Sequence, residues 1–144
     1  MKISTKGRYG LKAMVDLAMC AKSEAVTLKS ISDRQNISEG YLEQIFSALR
    51  KSGLVTGRKG SQGGYSLSKP LNEITVGEIL NALEGDVNMV DIIRGFPYDT
   101  LDECINKNVW SVINENINSF FDSVTLESLV ENYKVDKETI MYYI

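Results

Sequence analysis

Between Ser38 and Lys59 the chain gathers side chains suited to reading a nucleic acid. Ser38, Glu39, Gly40 and Tyr41 open a helical pattern, and Glu43 and Gln44 follow on its next turn. A glutamate so placed can accept from cytosine N4, and a glutamine can pair bidentately with adenine. Arg50 and Lys51 close the pattern with two cations suited to phosphate. Arg58 and Lys59 then sit beside Gly60, Gly63 and Gly64, a charged tip that could enter or straddle a minor groove. The same tip also suits a solvated hairpin kept charged against edge-to-edge pairing, so its meaning depends on the elements around it.

Other chemistry is poorly supplied. The chain has no histidine, no glycine-rich phosphate loop and no placed nucleophile–base pair, so no catalytic site is expected. Its two cysteines, Cys20 and Cys104, lie far apart without C-x-x-C spacing, which argues against a disulfide scaffold or a zinc site, and no cofactor is expected. No apolar run is long enough to span a bilayer, and no secretory leader precedes the first helix. The expectation is a soluble protein of a reduced, cytoplasmic compartment with no membrane partner.

The elements that must position these residues can be read from periodicity. A first helix is expected over residues 8–22, with Leu11, Met14, Val15, Ala18 and Met19 at i, i+3, i+4 spacing and Cys20 as a small apolar member. Thr27 caps a second helix over 28–35, the Asn36-Ile37 pair turns the chain, and Ser38 caps a third helix running to Ser52. Leu42, Ile45, Phe46 and Leu49 form its apolar stripe, and Gly53 stops it. Two short helices and a tight turn make a helix-turn-helix, and strands over 54–57 and 65–67 flank the charged tip as a wing. Residues 1–3 read as a small strand or arm, 71–74 as a short extended piece, and 76–84 as a fourth helix capped by Thr75 and closed by Gly85.

Residues 86–98, with Gly95 and Pro97, read as a linker. A long helix then opens at Asp99 or Thr100 and runs to about Asp122, carrying Leu101, Ile105, Val109, Val112, Ile113, Ile117, Phe120 and Phe121. Some 20 residues of helix span roughly 30 Å, too long to hide on one small domain, so a second copy of the chain is the expected partner. Thr125 caps a last helix over 126–133, and 134–144 form a tail that ends in the apolar run Ile-Met-Tyr-Tyr-Ile. The expected organisation is thus a DNA-binding unit (1–85), a linker or sensor region (86–98), a dimerisation unit (99–133) and the tail. The fold class is mainly α with a small β wing.

Charge divides the same way. Residues 1–70 carry 12 Lys/Arg against 5 Asp/Glu, whereas 71–144 carry 4 against 14, although the whole chain is only −3. A basic half beside an acidic half fits a nucleic-acid face and a separate face for dimerisation or another partner.

With these residues in view, the chain resembles the bacterial IscR/CymR-like winged helix-turn-helix regulators. The resemblance rests on MKISTKGRYGLKAM at the start, LKSIS, SEGYLEQIFSALRKSGLV, the wing GGY, TVGEILNALEG and TLESL, and so covers nearly the whole chain. It implies a homodimer built on the long helix, with one winged helix per subunit reading a palindromic operator in double-stranded DNA. By the same resemblance Glu43 matches a base-reading residue. Lys59 stands where the family often has a wing arginine, a change that keeps the charge but loses the planar fork.

Iron–sulfur members of the family carry three cysteines and a nearby histidine between the fourth helix and the long helix. Here that region holds only Cys104, with Lys107 after it, too few ligands for a cluster that needs about four. The ending, Met141-Tyr142-Tyr143-Ile144, looks like that of the members that repress cysteine metabolism. That likeness implies cysteine synthase (O-acetylserine thiol-lyase) as a partner held through Tyr143 and Ile144. A terminal carboxylate on an apolar tail suits capture by backbone donors beside a hydrophobic pocket. The resulting expectation is a cluster-free, dimeric repressor of cysteine and sulfur metabolism genes. A relative that senses redox state, nitric oxide or a cluster, and an interaction module that leaves DNA alone, remain the alternatives.

Overall fold

The computed structural model describes residues 2–20, 25–60 and 63–143. In chain order the elements are α1 (Thr5–Cys20), α2 (Leu28–Gln35), α3 (Glu39–Lys51), β1 (Val55–Arg58), β2 (Gly64–Leu67) and α4 (Val76–Glu84). A long helix follows, made of α5 (Leu101–Ile105), a π-turn (Asn106–Trp110) and α6 (Ser111–Ser123), and α7 (Leu126–Tyr143) ends the described chain. The fold is mainly α with one two-stranded antiparallel wing, paired from Val55↔Leu67 to Arg58↔Gly64.

Local chemistry starts each helix. Thr27, Ser38, Thr75, Thr100 and Thr125 each accept a backbone N–H three residues on, satisfying a donor that the helix itself cannot. Asn36 makes the turn between α2 and α3 in the left-handed region, at φ 55°, a conformation that asparagine tolerates. Ser4 caps α1 by accepting from Gly7, which is why α1 begins at Thr5, ahead of the expected Arg8. The expected end at Lys22 lies outside the described residues.

The core is one cluster in which Met14 and Leu17 of α1, Ile31 of α2, Leu42, Ile45, Phe46 and Leu49 of α3, and Ile79 of α4 are fully buried. Leu126 and Val130 of α7 enter the same cluster. Residues 1–85 therefore share their core with the C-terminal helix, and a Thr75↔Thr125 bridge ties the starts of α4 and α7. The α1–α4 contact is very close. A Cβ at Gly7 would collide with the Glu84 carboxylate, and one at Gly10 with the Leu83 side chain. A second, smaller cluster around Val76, Leu80 and Val87 takes in Ile3, Ile117 and Phe121 and fastens α6 to α4.

Several sequence expectations change. Strand β1 is displaced by one residue because the Leu54 N–H still bonds back to Leu49, leaving the ladder to begin at Val55. Residues 71–73 form a 3-10 turn closed by Glu73 N–H on the Pro70 carbonyl, so 71–74 is not an extended piece. Lys2 and Ile3 form no strand, and Met1 lies outside the described residues. The last helix does not stop at Tyr133. With no glycine or proline after Pro97, nothing breaks α7 before Tyr143.

The region 86–98 lacks regular structure yet is fastened to the long helix by two buried asparagines. Asn114 Oδ1 accepts from Met89 N–H (2.9 Å) and Val90 N–H (3.1 Å), while its Nδ2 donates to the Val90 carbonyl (2.8 Å). Asn106 Nδ2 donates to the Ile93 carbonyl (2.9 Å). The segment is a strap, its backbone satisfied by side chains where no sheet is available.

Candidate nucleic-acid interface

Helix α3 separates its two faces cleanly. Leu42, Ile45, Phe46 and Leu49 are buried, and the complementary positions Glu39, Gly40, Glu43, Gln44, Arg50 and Lys51 are exposed, with the Ser38 cap exposed ahead of them. These six exposed positions and the cap therefore share one end-to-end surface that the core holds rigid. Glu39 lies in the first turn and Arg50 and Lys51 in the last, each complementing the helix dipole at its own end. Tyr41 is half-buried and meets Tyr9 of α1 edge-on, with ring centroids 5.9 Å apart. It is thus more a strut than a free reading residue, and Tyr9, absent from the sequence expectation, shares that surface.

The wing is pinned at its base. Phe46 of α3 packs on Tyr65 of β2 at 4.9 Å between centroids. Val26 bonds Tyr65 in both directions, at 2.8 Å each, adding a third strand-like contact. Gly64, at φ 146°, allows this, because a Cβ there would meet the Val26 carbonyl. Arg58 ends β1 opposite Gly64, and Lys59 follows it; both are exposed. Residues 61 and 62 of the tip lie outside the described residues.

Behind the helix-turn-helix lies a polar clamp that periodicity concealed. Asp16 of α1 is 1 % exposed. Its carboxylate accepts from Arg34 Nη2 at 2.8 Å, from Arg34 Nε at 3.0 Å and from Gln35 Nε2 at 2.7 Å. The hydrogen bond to Asp16 raises the Arg34 pKa above its ordinary value, against the opposing effect of burial. The clamp orients α2, and through the Asn36 turn α3, on α1. A sequence signal existed only as an acid at an otherwise apolar face of α1.

At the other end, Tyr143 is 82 % exposed and edge-on to Tyr142 at the end of α7. Ile144 lies outside the described residues. All of 131–143 is exposed, so this stretch is an unpacked helix where the sequence suggested a flexible tail. Among the described residues no helix is long and apolar enough to cross a membrane.

A winged helix-turn-helix with this cap, turn and wing is matched by the family model Rrf2, described as "Iron-dependent Transcriptional regulator", over residues 3–132. The chain belongs to the Rrf2 family. It is 40 % identical over 144 residues to the HTH-type transcriptional regulator CymR of Bacillus subtilis, covering 100 % of both chains. It is 39 % identical over 135 residues to the regulator IscR of Pectobacterium carotovorum, covering 94 % of this chain and 82 % of that one. The solved structure titled as CymR, the global cysteine regulator of B. subtilis, superposes with a TM-score of 0.78 at 39 % identity, over 92 % of this chain and 98 % of that one. This Rrf2 protein is therefore a transcriptional regulator with a winged-helix DNA-binding fold, and not an enzyme.

The iron dependence in the family description can be set against the donors present. This Rrf2 chain has no imidazole at all, and the region between α4 and the π-turn offers one thiol, Cys104, which is exposed. Among the described residues no three His, Cys, Asp or Glu side chains are grouped to hold a metal. A cluster needing about four thiolate or imidazole ligands does not fit this donor set, even when two protomers are counted.

Proposed function

We propose that the protein is a homodimeric, cytoplasmic repressor of cysteine and sulfur metabolism genes that works without an iron–sulfur cluster. The observation that carries this reading is the end-to-end correspondence with CymR, which includes the sensor region and the terminus. The single thiol between α4 and the π-turn, Cys104, supports the cluster-free part. Dimerisation is supported by the apolar side chains that the long helix leaves uncovered, Leu101, Val109, Val112 and Phe120 among them.

In this reading the α3 of each protomer enters a major groove of a palindromic operator, two such helices lying about 34 Å apart. Glu43 and Gln44 meet base edges; Ser38, Glu39, Gly40 and Tyr41 place the helix start; Arg50 and Lys51 meet phosphate; Arg58 and Lys59 follow the minor groove. Cysteine synthase joins the dimer through Tyr143 and Ile144 when cysteine is plentiful and holds it on DNA. O-acetylserine, accumulating when sulfide is short, releases it. An enzyme pocket that grips a terminal carboxylate needs an extended peptide, whereas Tyr142 and Tyr143 are helical. Tyr142 and Tyr143 are exposed, so unwinding them costs little.

The test is a mobility shift on cysteine-biosynthesis promoters, with and without cysteine synthase, using the full chain and a form lacking residues 143–144. Both forms are expected to shift DNA, and only the full chain is expected to gain affinity from the enzyme. Equal gains by both forms would remove the tail from the mechanism; no shift by either would remove the DNA reading.

A further inference from the structure

The strap and the π-turn enclose a solvent-open cleft of about 650 Å³, inside the range of roughly 300–1,000 Å³ usual for small-molecule sites. Its lining includes two cations, Arg94 and Lys107, two carboxylates, Glu103 and Glu115, and two aromatic rings, Phe96 and Tyr98. The three ion pairs found among the described residues are Lys29–Asp33, Arg34–Asp16 and Lys69–Glu78, so all four charged groups of the cleft are unpaired.

That lack of pairing is unexpected on a helix. Glu103 and Lys107 stand four residues apart with the acid first, the arrangement that pairs best in an α-helix. The π-turn begins between them, at Asn106, and the two are not in ion-pair contact. The Asn106 bond to the Ile93 carbonyl then fixes the strap beside the same turn, one residue before Arg94. Opposite charges thus share one recess, and no ion pair joins them.

We infer that this cleft is a binding site for a free α-amino acid. A simple anion would meet Arg94 and Lys107 but face Glu103 and Glu115, and a simple cation would do the reverse. A zwitterion satisfies both sets through charge-assisted hydrogen bonds. Its side chain lies against Phe96 and Tyr98, whose ring faces also attract an ammonium group. The site is separate from α3, the wing and the terminus, and stands whether or not the tail captures an enzyme.

The full-length protein supplies its own reporter, since Trp110, the one tryptophan of the chain, belongs to the π-turn. Titration with L-serine, L-cysteine and L-leucine, followed by Trp110 emission and by calorimetry, is expected to saturate for at least one of them with a Kd near or below about 1 mM. Acetate and ethylammonium are expected to bind at least about tenfold more weakly than that amino acid. The double variants Arg94→Ala/Lys107→Ala and Glu103→Gln/Glu115→Gln should each weaken binding about tenfold or more while melting like the parent, because none of the four side chains belongs to the core. No saturation by about 10 mM, as when a second copy covers the cleft, would overturn the inference. So would acetate binding as tightly as the amino acid, or double variants that bind as well as the parent.

Discussion

The two halves of this molecule solve the problem of holding a helix in opposite ways. The half built from α1 to α4 buries whole apolar stripes, and its functional surface is what remains outside them. The half built from the strap, the long helix and the exposed length of α7 buries few apolar side chains and relies on polar clamps, Asn106 and Asn114, for the strap. Many of its apolar residues, Leu101, Val112 and Phe120 among them, face outward. A DNA-reading helix must present a few side chains in one fixed geometry, which close packing provides. A surface meant to receive another molecule keeps its hydrophobic area uncovered until that molecule arrives. On the function proposed above, burial marks the half that would read DNA, and missing burial the half that would associate.

The contrast can be broken most forcefully in the packed half. Phe46→Ala removes a fully buried ring that supports both the core and Tyr65 of the wing, with an expected loss of about 3–5 kcal/mol in denaturant unfolding. Phe120→Ala, on the open half, should leave the unfolding of the isolated subunit within about 0.5 kcal/mol and instead raise the dimer dissociation constant in analytical ultracentrifugation. If both changes cost the subunit equally, the distinction between halves fails.

Next in size is the Asp16 clamp. Arg34→Ala strands a buried carboxylate and should cost roughly 3 kcal/mol, whereas Lys29→Ala, which removes one side of an exposed pair with Asp33, should cost below about 0.5 kcal/mol. Chemical denaturation of the two variants side by side checks the ratio. Asn114→Ala leaves the Met89 and Val90 amides without their side-chain acceptor, at about 1–3 kcal/mol, and hydrogen exchange should accelerate at those two amides far more than in α3.

The smallest expected effects concern DNA. Lys59→Ala should lower the slope of log affinity against log salt by about 1, with no change in base preference, while Gln44→Ala should relax preference at one position by about 1–3 kcal/mol. Fluorescence anisotropy with operator variants at two salt concentrations separates the two.

Much of the packed half was legible because local and global signals agree there. Thr27, Ser38, Thr75 and Thr125 are caps by residue type and spacing, and α2 and α4 have the expected bounds. The open half was read less well for physical reasons. The strap's order depends on Asn114, which stands more than twenty residues from its partners and is one of several asparagines on that helix. The stretch after Tyr133 has no apolar periodicity, yet Lys134, Lys137 and Glu138 favour a helix and no breaker follows. The Asp16 clamp gave no local signal of its partner because Arg34 lies eighteen positions away, beyond any helical spacing. Among the candidate reading residues, the exposure of Glu43, Gln44, Arg50 and Lys51 follows directly from the burial of their neighbours. The strut role of Tyr41 depends on Tyr9, in another helix.

The π-turn between Ile105 and Ser111 has a further consequence, for rotational phase. One residue advances an α-helix by about 100°, so an extra residue accommodated within a single turn acts as an angular offset in a shaft. Residues on α5 and on α6 therefore do not follow one continuous α-helical spiral. Rewinding residues 106–110 as ordinary α-helix, with every residue kept, would swing everything before them around the axis by about 100°. Leu101 and the end of the strap would then face a different quadrant from the one they occupy now, with α6 still seated on α4.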